Sequence, residues 1–186
     1  MGGKLFTAKK LAVLGVLTAL SLIAFLIENL LPPMFIPGAK PGLANAFSFI
    51  ALIMYSPVEA FIIVAARTLL GAMFSGNISA VMYSFTGGVV SMAASSVLLY
   101  CVHPKISVIC VSVIAAVTHN ITQNIVFVAT YSTPVAFSYM PYLILLGVLS
   151  GAFIGAAVTV IVKRVPVSAF MRITGSKNLN NNPKEV

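Results

Sequence analysis

A chain of 186 residues in which 60% are hydrophobic and 8% are charged carries more apolar surface than a soluble domain of that size can bury. Apolar stretches of about 20 residues recur from end to end, the length a helix needs to cross a bilayer, so an all-α integral membrane protein is expected. The net charge of +8 does not point to nucleic acid, because the basic residues are scattered between apolar runs and no basic patch is interleaved with aromatics.

Taken in chain order, the pattern predicts six helices. Lys4, Lys9 and Lys10 precede an apolar run, Leu11 to Leu31, that is too long for a signal peptide and has no small-residue cleavage site before Pro32, so a retained helix is expected over 8–31. The segment PPMFIPGAKPG, Pro32 to Gly42, cannot be regular helix and reads as a lid-like loop. A short second helix over 43–56, about 20 Å long, spans only with tilt or enters as a partial helix. Pro57 separates it from a third over 58–74, closed by the Ser75 to Asn77 turn. A fourth runs over 77–102 and ends at His103, Pro104 and Lys105; a fifth covers 106–131; the uncharged loop STPVAFSYMP leads to a sixth over 142–162. Residues 1–172 thus form a single membrane domain, followed by a mobile tail over 173–186 that is rich in Asn and without apolar pattern.

Basic residues set the expected orientation. With both termini in the cytoplasm, the inner side holds Lys4, Lys9, Lys10, Lys105, Lys163, Arg164, Arg172, Lys177 and Lys184, and the outer side holds only Lys40. Cys101 and Cys110 flank a short polar turn and read as single thiols rather than a disulfide.

Three stripes of small residues can bring helix backbones close together. Gly147, Gly151 and Gly155 recur at steps of four on the sixth helix, and Ser84, Gly88, Ser91 and Ser95 line the fourth. Both suit packing, and the glycine face is also a place where two copies could meet. On the first helix, Ala8, Ala12, Gly15 and Ala19 form a stripe from the cytoplasmic end to mid-membrane, open to packing inside the monomer or to docking another membrane protein.

Polar residues inside apolar helices are the functional signal. Arg67 lies in the middle of the third predicted helix, where a charge costs about 2.5–3.5 kcal/mol on insertion scales and marks a functional site by default. On the fifth helix His119, Asn120, Gln123 and Asn124 project within about 140° of one another at 100° per residue, a polar face that must look inward. Interhelical hydrogen bonding accounts for one or two such groups; four suggest a ligand cavity. Glu28, Lys40 and Asn45 lie toward the outer surface, so a polar site opening outward beneath the Pro/Gly loop and facing the fifth helix is expected. Arg67 offers a planar fork for carboxylate or phosphate and Lys40 a point charge, which implies a small anionic solute, unless Glu28 neutralises the arginine internally. Phe47, Phe49, Tyr83 and Phe127 suit a ring-bearing vitamin-like compound, a flavin or an isoprenoid phosphate, and spacing does not choose among them.

Enzymatic readings fare worse. The chain has three acidic residues and no Asp, which removes Asp-rich magnesium clusters and paired carboxylates. It has no Walker-type loop, no metal-ligand cluster and no cofactor motif, so transport would draw on an ion gradient or on a partner that hydrolyses ATP.

The residues PGAKPGLANAFSFIAL, AARTLLGAMFSG, SFTGGVVSM and VTHNITQN together resemble the membrane family labelled heptaprenyl diphosphate synthase component I, also called the Gx transporter family. The likeness runs from about Ala8 to Val162. That family in turn looks like the six-helix substrate-binding S components of energy-coupling factor transporters. The resemblance implies that the stripe on the first helix meets a coupling membrane subunit, that the loop after it caps the substrate, and that a partner ATPase module drives release inside. It implies no catalytic residues. The family label itself implies an accessory role in isoprenoid synthesis, and a stand-alone carrier is a third reading.

Overall fold

The computed structural model of the chain describes residues 8–30, 42–76, 78–102 and 105–164. They form six α-helices: α1 (Ala8–Leu30), α2 (Leu43–Met54), α3 (Pro57–Ser75), α4 (Ile78–Cys101), α5 (Val108–Tyr131) and α6 (Met140–Arg164). All but α2 are long and apolar enough to cross a membrane, which makes this an all-α, multi-pass membrane protein. The segment 173–186 and the Pro/Gly segment before Gly42 lie outside the described residues.

The shortest helix sits in the middle. α2 has 12 residues, about 18 Å at a rise of 1.5 Å per residue, against a hydrocarbon core of about 30 Å. It packs on α1, α3, α4 and α6, and Ala44, Ser48, Phe49, Ile50, Ala51 and Leu52 are all buried. A helix apolar on every side belongs inside the bundle, so its ends need not reach both faces of the membrane. Around its second half, Phe49, Ile50 and Leu52 meet Val64 of α3, Met92 of α4, Val111 of α5 and Val158 of α6 in one apolar core.

Local chemistry moves several predicted boundaries. α2 stops at Met54 and not at Ser56, because Pro57 disfavours helical backbone at the residue before it, and Ser56 is extended. Pro57 itself is the first residue of α3, where its missing N–H costs nothing. α3 ends at Gly76, whose positive φ of 65° lets its N–H return to the Ala72 carbonyl at 3.0 Å. Ser107 caps α5 by accepting from the Cys110 N–H at 3.2 Å, so the helix starts at Val108 and not at 106. The uncharged segment before α6 is not an irregular loop: Pro134–Tyr139 is a 3-10 helix running directly into α6. Cys101 and Cys110 are exposed free thiols.

The glycine stripe on α6 has its partner within the chain. A Cβ at Gly151 would stand 2.7 Å from the Cα of Val113 and 2.9 Å from the Ser112 carbonyl oxygen; one at Gly155 would stand 2.8 Å from the Cα of Ile109. α5 covers this face, which corrects the expectation that two copies could meet through Gly147, Gly151 and Gly155. The stripe on α1 behaves oppositely. Ala8, Ala12, Gly15 and Ala19 are all exposed, and a Cβ at Gly15 would meet nothing within 4 Å. The buried face of α1 is instead Leu14, Ser21, Phe25 and Glu28, so among the described residues nothing packs on the small stripe.

Candidate functional site

Beside the first turn of α2, four helices line a small cavity in which polar groups sit among a mostly apolar surface. Gly42, Asn45 and Phe49 form its α2 wall, Ser91 and Met92 come from α4, Ser112, Ala115, Ala116, His119 and Asn120 from α5, and Ser150 and Ile154 from α6. The space open to the centres of water molecules is about 30 Å³, enough for about two waters and not for a vitamin-sized solute. The cavity is partly open to the surface but, as it stands, too small for such a solute.

The polar face of α5 divides between this cavity and structural work. His119, Asn120, Gln123 and Asn124 are all buried, each with 8–9% of its surface exposed. Asn120 lines the cavity and also donates from Nδ2 to the Leu143 carbonyl at 2.9 Å, fixing the first turn of α6. Asn124 donates to the Ala136 carbonyl at 3.1 Å, which ties the 3-10 helix to α5. Gln123 and Asn124 are not part of the cavity wall. Tyr83 also stands apart: its ring meets Phe127 edge-on at 5.9 Å between centroids, and Phe127 in turn meets Tyr131 at 4.8 Å. Lys40 lies outside the described residues.

Arg67 is 3% exposed and sits about 15 Å along α3, near the middle of a hydrocarbon core of about 30 Å. Its Nη2 donates to the Asn45 Oδ1 at 2.6 Å, while its Nε is buried without a hydrogen-bond partner among the described residues. Glu28 is near enough to act on it electrostatically. The Glu28 carboxylate accepts from the Leu43 N–H, a favourable place for a negative charge because the start of α2 carries the positive end of its dipole. Ser21 adds a bond from α1 to the Ala44 carbonyl at 2.7 Å.

The expected meeting of Arg67 with α5 does not occur. α3 packs on α1, α2 and α4, whereas α5 packs on α4 and α6. Arg67 and His119 reach the same stretch of α4 from two sides, at adjacent glycines: a Cβ at Gly88 would lie 3.6 Å from Arg67 Nη2, and one at Gly87 would lie 3.3 Å from His119 Nδ1. The Gly87–Gly88 pair leaves room for a large side chain on each flank. The physical reason is helix order, since α2 fills the centre and turns Asn45 toward the arginine.

A family model described as heptaprenyl diphosphate synthase component I matches residues 17–161. The chain belongs to that family. The matched stretch takes in the whole cavity wall and the Glu28, Asn45 and Arg67 cluster, while Ala8, Ala12 and Gly15 precede it. No curated protein matches the chain.

Sequence reasoning missed the hydroxyls of the cavity. Ser112 lies seven residues before His119, two helical turns on the same face, and that spacing was available as a signal. Ser150 sits beside Gly151 and carried no separate signal. A second cluster was also missed: Glu59 accepts from Lys10 and from Ser56 at the start of α3, and Lys10 lies 5.6 Å from the Tyr55 ring centroid. The Ser56-Pro57-Val58-Glu59 spacing is that of a capping box, which predicts a helix start but not the lysine from α1.

Proposed function

We propose that this chain is a membrane solute-binding protein, an S-component-like subunit of an energy-coupling factor type importer, for a small vitamin-like or isoprenoid-related solute bearing an anionic group. One observation carries the reading: a buried arginine on a membrane-spanning helix whose direct partner is a neutral amide, set beside a small cavity lined by four helices. A charge buried in a membrane-spanning helix is costly and marks a ligand site or a pathway by default, and the nearby Glu28 carboxylate offsets only part of that cost. The solute enters from outside when the first turn of α2 moves away, because the cavity as it stands has room only for water. Both termini face the cytoplasm, and the exposed stripe Ala8, Ala12, Gly15 and Ala19 is the face on which a coupling membrane subunit docks, with ATPases beneath it.

The family description favours a second reading, a membrane component of heptaprenyl diphosphate synthesis that works with a separate catalytic subunit. Co-purification separates the two: ATPase and coupling subunits support the importer, and a soluble prenyltransferase supports the accessory role. The direct test is mass spectrometry of small molecules that accompany the purified protein. Arg67→Gln is expected to lower their retention at least about tenfold, the loss of one charge-assisted fork, while leaving the protein folded. Undiminished retention removes Arg67 from the site.

A further inference from the structure

We infer that Asn45 is the gate between the cavity and Arg67, and that an anionic group binds by taking the place of the Asn45 amide on the guanidinium; this rests on the solute-binding reading above. Among the described residues Asn45 is the one that both lines the cavity and bonds Arg67, which is not itself a wall residue. Access from the cavity to the charge therefore passes through the Asn45 side chain. From the α4 side the approach is closed, because Gly88 already brings its backbone against Val64 and Arg67, with a Cβ there 2.7 Å from Val64 Cγ1.

The exchange is favourable on donor geometry. A guanidinium has five N–H donors in a planar fork, and the amide oxygen takes one of them at Nη2, while the buried Nε has no partner among the described residues. A carboxylate or phosphate accepts two parallel bonds from such a fork and brings an opposite charge, where the neutral amide oxygen accepts one. A cationic or uncharged group of the same size gains nothing by displacing the amide. Asn45 is thereby a selectivity residue as well as a barrier: it keeps Arg67 partnered while the cavity holds water and yields only to a better acceptor. The side chain has somewhere to go, because Gly42 stands beside it without a side chain, its Cβ position 3.6 Å from Asn45 Nδ2.

Opposite effects of two substitutions test this. A single reporter thiol, Ser150→Cys on the cavity wall, is placed in a Cys101→Ser, Cys110→Ser background so that the exposed native thiols do not react. Purified full-length protein is treated with 2-sulfonatoethyl methanethiosulfonate or its trimethylammonium counterpart, and the two labelling rates are compared as a ratio. Asn45→Ala is expected to raise the sulfonate-to-ammonium ratio about tenfold by exposing Arg67 to the cavity. Asn45→Asp lowers it below the parent, because the new carboxylate occupies the fork; if that variant does not fold, Asn45→Ala decides alone. Adding Arg67→Gln to Asn45→Ala restores the parent ratio.

Equal acceleration of both reagents by Asn45→Ala overturns the inference, since Asn45 is then a plug by size alone. An unchanged ratio, or no labelling at all in that variant, overturns it as well. A raised ratio that survives Arg67→Gln goes further, removing Arg67 as the anion's partner and with it the solute-binding reading.

Discussion

The two sides of the bundle are held together by different means. Between α5 and α6 contact is backbone to backbone: Gly147, Gly151 and Gly155 each bring α6 so close that an added methyl group would fall within 2.7–3.1 Å of an α5 Cα atom. Around α1, α2 and α3 contact runs through side chains, with Arg67 on Asn45, Glu28 on the Leu43 N–H, Ser21 on the Ala44 carbonyl and Lys10 on Glu59. Gly71 of α3 meets a side chain too, the ring of Phe25 from α1, and not a neighbouring backbone. Backbone seams have one arrangement, whereas side-chain bonds can exchange partners without separating the helices. On the solute-binding reading proposed above, the α5–α6 pair is the fixed wall of the cavity and the first turn of α2 the part that gives way.

Enlarging the seam is the strongest way to break that contrast. Gly151→Val puts a branched side chain where a Cβ alone meets Val113 Cα and the Ser112 carbonyl, so α6 must move off α5. The expected destabilisation is about 3 kcal/mol or more, the upper part of the range for overpacking. Thermal unfolding of the purified protein in detergent should show a large drop in Tm or loss of monodisperse material. A valine tolerated there without a shift would mean that the seam is looser than the glycine contacts imply.

The Lys10–Glu59 pair gives a smaller effect with a different signature. Its side chains are 13% and 6% exposed, so removing one partner leaves the other charge largely buried. Lys10→Met, which strands the more buried Glu59 carboxylate, is expected to cost about 2–3 kcal/mol and Glu59→Gln somewhat less, because the lone lysine's stem can carry its charge to the surface. The double variant should recover part of the loss, a coupling of about 1–2 kcal/mol in a double-mutant cycle measured by unfolding. Additive losses would show that the pair is not what joins α1 to α3.

How much of this was legible beforehand follows the same division. The helices, the inward polar face of α5 and the burial of a charge at Arg67 are one-dimensional signals, carried by periodicity and by the position of a charge inside an apolar run, and each can be read along the chain. The covering of the α6 glycines by α5 is legible as a close approach but not as a choice of partner, since any helix backbone fits a smooth face. The address of Arg67 was not legible. It depends on a 12-residue helix taking the centre of the bundle, and only that placement turns Asn45, and not His119, toward the guanidinium. Lys10 and Glu59 were hidden for a related reason: forty-nine residues separate them, and no local pattern marks a long-range ion pair.

The 3-10 helix offers the mildest test, because it belongs to the fixed side but is held by a side chain. Asn124 Nδ2 donates to the Ala136 carbonyl at 3.1 Å, and Ala136 is the buried residue of that segment, otherwise flanked by exposed Val135, Phe137 and Tyr139. Asn124→Ala removes the bond and leaves the α5–α6 glycine contacts untouched, so the loss should be about 0.6 kcal/mol, typical of one interhelical hydrogen bond in a membrane protein. Global unfolding will barely register a change of that size. Amide hydrogen exchange will, with faster exchange confined to the Pro134–Tyr139 segment and the first turn of α6 while the α5–α6 contact at Gly151 and Gly155 keeps its protection. Faster exchange spreading along the whole of α6 would show that the glycine seam depends on this one amide, and that the two modes of packing are not independent.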